Sequence, residues 1–189
     1  MKPVRRLTLV SSSPRRKEML AGLVDELRIV EPDCHEIPVR KAADALTNAL
    51  RKLMSAFPRP SELAIAADTA VFLDGEALGK PSSPEDARRM LRALSGRWHE
   101  VSTGLAVGVD GIVETAVVTT RVLFRKLDDV EIDAYVATGE PLDKAGAYGI
   151  QGLGGLLVER LEGDRDNVVG LPLGKLREIL AKRGLEIKV

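Results

Sequence analysis

The chain has 189 residues, of which 44% are apolar, and it carries 28 acidic and 28 basic residues. This length suits one domain or two lobes that share a cleft, with about 70% of the unfolded surface buried. The balanced charge argues against a surface that coats nucleic acid, and no apolar run approaches the length of a membrane span. The single cysteine excludes an internal disulfide. Because the start of the chain lacks the long apolar region of a signal peptide, we expect a cytoplasmic protein.

The first predicted strand, residues 7–10, leads into the segment Ser11-Ser12-Ser13-Pro14-Arg15-Arg16. Ser13 is a favourable helix N-cap and Pro14 a favourable first helical residue, which predicts a helix from there to about Gly22. Backbone N–H groups at a helix start, Ser hydroxyls and Arg guanidinium groups all favour a bound phosphate. The segment therefore predicts an anion site, with an ordinary cap beside solvated arginines as the alternative.

A second predicted strand, residues 27–30, is followed by the acidic loop 31–38. A carboxylate of this loop either reaches a cleft or is solvated. The next helix is predicted from about residue 42 to 56, ended by the Phe-Pro-Arg-Pro segment 57–60. Lys52 lies near the end of this helix, where a lysine usually complements the helix dipole.

Residues 63–81 form the central segment, an apolar strand-like run interrupted by the carboxylate of Asp68 and the neighbouring hydroxyl of Thr69. The run continues to a hairpin signal, Asp74-Gly75, and closes at Lys80-Pro81. A charged residue within a buried strand is costly unless it is paired. Asp68 is therefore either half of a structural salt bridge or a functional carboxylate.

The following elements mix helices with long strands, which predicts an α/β or α+β fold with a mixed sheet. Asp110-Gly111 is a clear hairpin signal between two of the strands. His99, at the start of the first of them, is predicted to be packed or hydrogen-bonded rather than catalytic. The helices are predicted at about 84–94, 128–138 and 172–182, and the strands at 98–109, 112–126 and 156–161.

Five glycines lie between Gly146 and Gly155, which predicts tight turns or a close approach of backbone to another group. A disordered linker is the alternative, but the apolar and aromatic side chains of Tyr148 and Ile150 argue against it. The same segment holds Gln151, the only glutamine of the chain.

Four stretches together resemble the Maf family of nucleoside triphosphate pyrophosphatases, in the family's order and over almost the whole chain. The resemblance implies hydrolysis between the α and β phosphates to a monophosphate and pyrophosphate, in a house-cleaning role. It also implies a single Maf-like domain over 1–189, with an elongated mixed sheet and two lobes around a nucleotide cleft, similar to inosine triphosphate pyrophosphatases. The stretches are Ser11 to Arg16, Ala67 to Pro81, Leu94 to Gly104, and the C-terminal signature in 140–155 and 168–173.

The resemblance also implies roles for individual residues. Asp68 becomes the proton acceptor or, with Glu36, a metal ligand, and the implied cofactor is a divalent cation, Mg²⁺ or Mn²⁺. Asp33 is the alternative to Glu36, because the acidic loop varies in length. Lys80 is implied in catalysis. The residues implied to bind the triphosphate are Ser11, Arg15, Arg16, Lys52 and Lys80.

Branches of the family differ at the positions occupied here by Arg15, Thr69 and Gln151. This combination resembles the branch that acts on dTTP and UTP rather than the branch that acts on 7-methyl-GTP. A glutamine amide both donates and accepts hydrogen bonds, so it can pair with the carbonyl and imide N–H of a pyrimidine.

Two other functions stay open at this point. One is a nucleotide-binding regulator of septum formation in which hydrolysis is vestigial, and the other is a sugar-phosphate or other phosphoester hydrolase. The intact Asp68, Lys80 and Arg15 favour the pyrophosphatase, since binding alone would not need the carboxylate. Nucleoside triphosphates are the expected partners, without nucleic acid or membrane, and the resemblance implies that a homodimer can form.

Overall fold

The computed structural model describes residues 1–56 and 62–188. The predicted helix terminator 57–60 lies outside these residues. Within them, a mixed sheet of seven strands is flanked by helices, and a separate parallel pair joins the first and last strands. The strands are β1 Lys2–Pro3, β2 Arg6–Val10, β3 Glu26–Val30, β4 Ala64–Leu73, β5 Glu76–Leu78, β6 Trp98–Val109, β7 Ile112–Phe124, β8 Val158–Glu162 and β9 Leu185–Glu186. The α-helices are α1 Pro14–Leu20, α2 Ala42–Ser55, α3 Pro84–Leu94, α4 Asp129–Ala137, α5 Arg165–Val169 and α6 Leu173–Lys182.

The order of strands in the large sheet is β3-β2-β4-β6-β7-β8, with β5 added to the far end of β4. Strands β3, β2 and β4 are parallel, and β4, β6, β7 and β8 are antiparallel. Both predicted hairpin turns are confirmed, since Asp74 and Asp110 have φ values of 52° and 50° and each precedes a glycine that also has a positive φ. The prediction of a mixed sheet with flanking helices is therefore correct.

Helix starts follow the local signals of the sequence. α3 has the predicted bounds, and the Ser83 hydroxyl accepts a hydrogen bond from the Asp86 N–H. α4 opens with a capping box between Asp128 and Glu131. Ser13 occupies the N-cap position of α1, but its side chain makes no capping bond. The Ser11 hydroxyl instead accepts the Ser13 N–H at 3.1 Å, so Ser11 shapes this turn.

Two predictions of secondary structure need correction, and one short helix was missed. The strand predicted at 156–161 is a 3₁₀ turn over Leu153–Leu157 followed by β8, because a short apolar run does not distinguish the two structures. β7 ends at Phe124 rather than at 126. The short helix α5 was not predicted, because five residues are too few to show a helical period, although Asp164 caps it.

One edge of β4 is paired with other described strands only at its two ends. β2 pairs with β4 at Ala64 and Ile65, and β5 pairs with β4 from Val71 onward. Along this edge, no described strand pairs with residues 66–70. The sheet therefore has a notch on this side, and Asp68 and Thr69 at the notch are half-buried while the other residues of β4 are buried.

Hydrophobic clusters lie on both sides of this notch. On the face that carries Thr69, Ile65 belongs to a cluster with α6, and Val71 belongs to a second cluster with α3 and α4. On the opposite face α2 packs against β4 and β6, and Gly104 allows this close approach. A Cβ at Gly104 would lie 2.6 Å from the carbonyl carbon of Ala45.

No helix in the described part of the chain is both long and apolar enough to cross a membrane.

Candidate active site

A cleft of about 320 Å³ lies at the notch in β4. Its walls come from the loop before α1, from the acidic loop and α2, and from the glycine-rich segment after α4. Ser11 is buried and, like Asp33, does not line it. Eight of the nine site residues predicted from the sequence line the cleft: Arg15, Arg16, Glu36, Lys52, Asp68, Thr69, Lys80 and Gln151.

Asp68 lies in the part of the cleft wall that β4 and α2 form, called here the Asp68 wall, and is held by two side chains of α2. The Lys52 ammonium donates to Oδ1 of Asp68 at 2.8 Å, and the Asn48 amide donates to Oδ2 at 3.1 Å. Asn48 and Lys52 are four residues apart, so they share one face of the helix. Each Asp68 oxygen therefore has a defined partner, and the carboxylate is fixed in orientation.

Lys52 also lies 3.1 Å from Oε1 of Glu36, so one ammonium group bridges two carboxylates. The side chains of Lys52 and Asp68 are 7% and 13% exposed, whereas Glu36 is 50% exposed. Lys52 therefore points into the cleft and not at the carbonyl end of its helix. The structural salt bridge considered for Asp68 does exist, and it lies inside the cleft.

Asn48 is a site residue that the sequence did not reveal. Its amide group donates to the Ile37 carbonyl at 3.0 Å, and its side-chain oxygen accepts the Ile37 N–H at 2.8 Å. These bonds hold the acidic loop against α2 and so place Glu36 beside Lys52. The one available signal was the scarcity of amide residues, since the chain has only two asparagines.

Arg16 is buried and connects three parts of the cleft. Its guanidinium group donates to the Gly170 carbonyl at 2.8 Å, to the Thr69 hydroxyl at 3.0 Å and to the Ser11 hydroxyl at 3.3 Å. Burial lowers the pKa of Arg16 to about 10, against the opposing attraction of Asp68, and the group stays charged at neutral pH. Arg16 therefore holds the Ser11 loop against β4.

Arg15 and Lys80 differ from Arg16. Arg15 is half-buried and Lys80 is exposed, and both line the cleft. Neither forms an ion pair with any residue that the structure describes. Two cations are thus available to an anionic ligand without the loss of an internal salt bridge.

The glycine-rich segment forms a second part of the cleft wall, called here the Gln151 wall. Lys144 in this wall donates to the Glu140 carbonyl at 2.7 Å and to the Asp143 carboxylate at 2.6 Å. Gln151 lines the cleft and is exposed. The disordered linker considered for this segment is excluded, because three 3₁₀ turns organise it.

His99 is packed behind this wall and does not line the cleft. It is 2% exposed, and its Nε2 lies 2.8 Å from the Tyr148 hydroxyl. Burial lowers the pKa of His99 to about 4. The prediction of a packed, hydrogen-bonded histidine is confirmed.

Comparison with known proteins agrees with the motifs. The chain is 50% identical over 188 residues to a dTTP/UTP pyrophosphatase of Anaeromyxobacter dehalogenans strain 2CP-1, with 96% of each chain covered. A dTTP/UTP pyrophosphatase of Thermococcus onnurineus is 48% identical over 178 residues, which are 92% of this chain and 97% of the relative. One of Moorella thermoacetica is 47% identical, with 96% and 97% covered.

Among solved structures, the Ham1 protein of Staphylococcus aureus has the same fold, with a TM-score of 0.53 at 16% identity. The match covers 95% of this chain and all of that one. The sequence profile of the family described as Maf-like protein matches residues 6–183. With this match and relatives near 50% identity over almost their full length, the chain belongs to the Maf family.

Proposed function

We propose that this protein is a nucleoside triphosphate pyrophosphatase that hydrolyses dTTP and UTP to the monophosphate and pyrophosphate. The observation that carries the proposal is the position of Asp68, a carboxylate with fixed orientation in the wall of a cleft that Arg15, Lys80 and Gln151 also line. The names of the relatives at 47–50% identity support the substrate class. A cleft of about 320 Å³ is within the range of small-ligand sites.

In the proposed mechanism, Asp68 accepts the proton of the water that attacks the α phosphorus. Its two oxygens are oriented by Asn48 and Lys52, which suits a general base held in one position. Arg15 and Lys80 bind the phosphate oxygens and stabilise the charge that moves onto the leaving pyrophosphate. Arg16 and Ser11 hold the start of α1, which carries Arg15, in place.

Gln151 and Thr69 select the base and sugar region of the substrate. Gln151 lines the cleft, and its amide group can pair with both the carbonyl and the imide N–H of uracil or thymine. Thr69 donates to or accepts from Thr103 at 2.9 Å and accepts a bond from Arg16, so its side chain has a fixed rotamer.

The residues present fit a divalent cation that arrives with the nucleotide. Glu36 and Asp68 already share one cation, the Lys52 ammonium, and they offer the hard oxygen ligands that Mg²⁺ and Mn²⁺ prefer. Across the described residues, no group of three or more His, Cys, Asp or Glu side chains could hold a metal by itself. Such a cation would be bound by Asp68, Glu36 and the phosphates, and it would neutralise phosphate charge.

A panel of nucleoside triphosphates with Mg²⁺ or Mn²⁺ tests the proposal, provided that the assay separates pyrophosphate from orthophosphate. We expect pyrophosphate and monophosphate from dTTP and UTP, with much slower release from purine nucleotides. Orthophosphate alone, or no turnover of dTTP and UTP, would contradict the proposal. The second of these results would favour a nucleotide-binding regulator.

A further inference from the structure

The side chain of Gln151 does not stabilise the turn that carries it. The backbone turns at Gly149–Gly152, where the Gly152 N–H donates to the Gly149 carbonyl at 3.2 Å. Gln151 is exposed, and its side chain makes no hydrogen bond to any other residue in the described ranges. The direction in which its amide group points therefore depends on the backbone of the turn.

Two side chains outside the turn hold both of its ends. The Glu140 carboxylate accepts the Leu153 N–H at 2.9 Å through Oε2 and the Gly154 N–H at 3.1 Å through Oε1. The Tyr135 hydroxyl accepts the Gly149 N–H at 3.2 Å and donates to Oε1 of Glu140 at 2.8 Å. A single connected pair thus binds the backbone on both sides of residues 150 and 151.

The glycines of the turn fit closely around this pair. A Cβ at Gly152 would lie 2.5 Å from the Glu140 carboxylate, and a Cβ at Gly154 would lie 2.5 Å from the Tyr135 hydroxyl. Burial alone would raise the pKa of Glu140, but the bonds from Gly154, Tyr135 and Leu153 outweigh it and the pKa is lowered. Glu140 is therefore ionised at neutral pH, the form that accepts hydrogen bonds most strongly.

We propose that Glu140 is a positioning residue for base recognition, which acts with Tyr135 to hold residues 149–154 so that Gln151 faces the pyrimidine. This inference rests on the proposed function. Glu140 does not line the cleft, and it acts on the substrate only through the turn. Its loss should lower the preference for uracil over cytosine while the carboxylate chemistry at Asp68 remains.

A double-mutant cycle with Glu140→Gln and Gln151→Ala tests this dependence, with the ratio of kcat/KM for UTP to that for CTP as the readout. These substrates differ at the edge that Gln151 is proposed to recognise. We expect each single variant to lower the ratio by about tenfold, the size expected for the loss of one net hydrogen bond. In the Gln151→Ala background, Glu140→Gln should lower the ratio by less than a further twofold. An unchanged ratio in Glu140→Gln, or a full second loss in the double variant, overturns the proposal.

Two controls separate positioning from general stability. Asp86→Asn changes another carboxylate that accepts a backbone N–H, from Ser82 at 3.0 Å, but lies outside the cleft. It should leave the ratio unchanged, and an equal loss in this variant would contradict a specific role for Glu140. Tyr135→Phe keeps the ring and removes the hydroxyl, so it should lower the ratio in the same direction even if Glu140→Gln folds poorly.

Amide hydrogen exchange gives a readout that does not depend on activity. In Glu140→Gln, exchange of the amides of residues 149–154 should accelerate by about tenfold or more while amides of β4 and β6 keep their protection. If exchange in the turn is unchanged, Glu140 does not hold residues 149–154, and the proposal is overturned whatever the enzyme assays show. If the wild-type protein hydrolyses neither UTP nor CTP while the turn does loosen, the proposed function fails and the role in base recognition falls with it.

Discussion

The two walls of the cleft are built in different ways. On the Asp68 wall, a strand and a helix present side chains that bond to one another, and Lys52 and Asn48 fix both oxygens of the aspartate. On the Gln151 wall, a segment of short 3₁₀ turns is held by side chains that bond to its backbone, chiefly Glu140. The first wall depends on packed regular elements, and the second depends on a few hydrogen bonds to a loop.

This difference predicts different consequences of mutation. A group that must meet a reacting atom tolerates little displacement, and a helix packed on a sheet provides that precision. A loop can vary without disturbing the sheet, which suits the recognition of different bases. Changes on the Asp68 wall should therefore affect every nucleotide, whereas changes on the Gln151 wall should alter which nucleotide is used.

The largest effect is expected from Asp68→Asn. The amide keeps the shape of the side chain but cannot accept a proton, so kcat/KM for both dTTP and UTP should fall by about 10³-fold. Steady-state assays and a thermal melt of the variant check this. Asp74→Asn is the matched control in the exposed turn after β4, where it should change the rates by less than twofold. Near wild-type turnover in Asp68→Asn would remove Asp68 from its central role.

Gly104→Ala should have the next largest effect. Asp68 pairs with Gly104 in register, and the backbone of α2 lies directly against this glycine. A methyl group must push α2 away, which should cost about 1–3 kcal/mol of unfolding free energy. The shift also moves Lys52 away from Asp68, so turnover of all nucleotides should fall by about tenfold or more.

Urea unfolding and a nucleotide panel measure both effects of Gly104→Ala. Gly174→Ala is its control, since this position in α6 has only one atom within 4 Å of an added Cβ, the Asp164 carboxylate at 3.9 Å. It should leave stability and turnover nearly unchanged. Full activity in Gly104→Ala would mean that the helix position is not critical for the site.

Local signals in the sequence were sufficient for much of the fold. The start of α3 follows from Ser83 and Pro84, and the two Asp-Gly turns follow from the positive φ values that such hairpins require. The motifs also identified eight residues that the fold brings to one cleft. These features depend on residues close in sequence or on motifs that can be recognised without knowing how the chain packs.

Contacts between distant residues could not be predicted in this way. Arg16 bonds to the Gly170 carbonyl, 154 positions away, so its burial is invisible in the segment that contains it. The roles of Asn48 and Glu140 depend on which backbone groups the fold brings near them. The single domain over 1–189, the homodimer and the cytoplasmic location stay predictions.

Gln151→Glu tests the Gln151 wall. Its effect on the reaction rate should be smaller than that of the changes on the Asp68 wall and should depend on the base. The carboxylate keeps the length of the side chain but loses the N–H donor, so kcat/KM for dTTP and UTP should fall by about tenfold. The free energy of unfolding should change by less than about 0.5 kcal/mol, because the side chain is exposed. Parallel rate and denaturant measurements check both parts. Equal rates on dTTP in the two proteins would reject the role in base recognition.

His99→Gln should affect stability and leave the chemistry of the Asp68 wall intact. His99 packs edge-on against Phe124 and Tyr148 behind the Gln151 wall, and burial lowers its pKa to about 4. The unfolded chain binds the proton near pH 6.5, so between pH 6.5 and 4 the unfolded state holds more protons than the native state. The free energy of unfolding should therefore fall with decreasing pH between pH 6.5 and 4, by up to about 3 kcal/mol. Above pH 6.5, His99 should not make the free energy of unfolding depend on pH.

Urea unfolding from pH 7.5 to 4.5 should show a shallower decline in the free energy of unfolding for His99→Gln than for the wild type. Parallel curves would mean that His99 does not drive acid destabilisation and that carboxylates elsewhere are responsible.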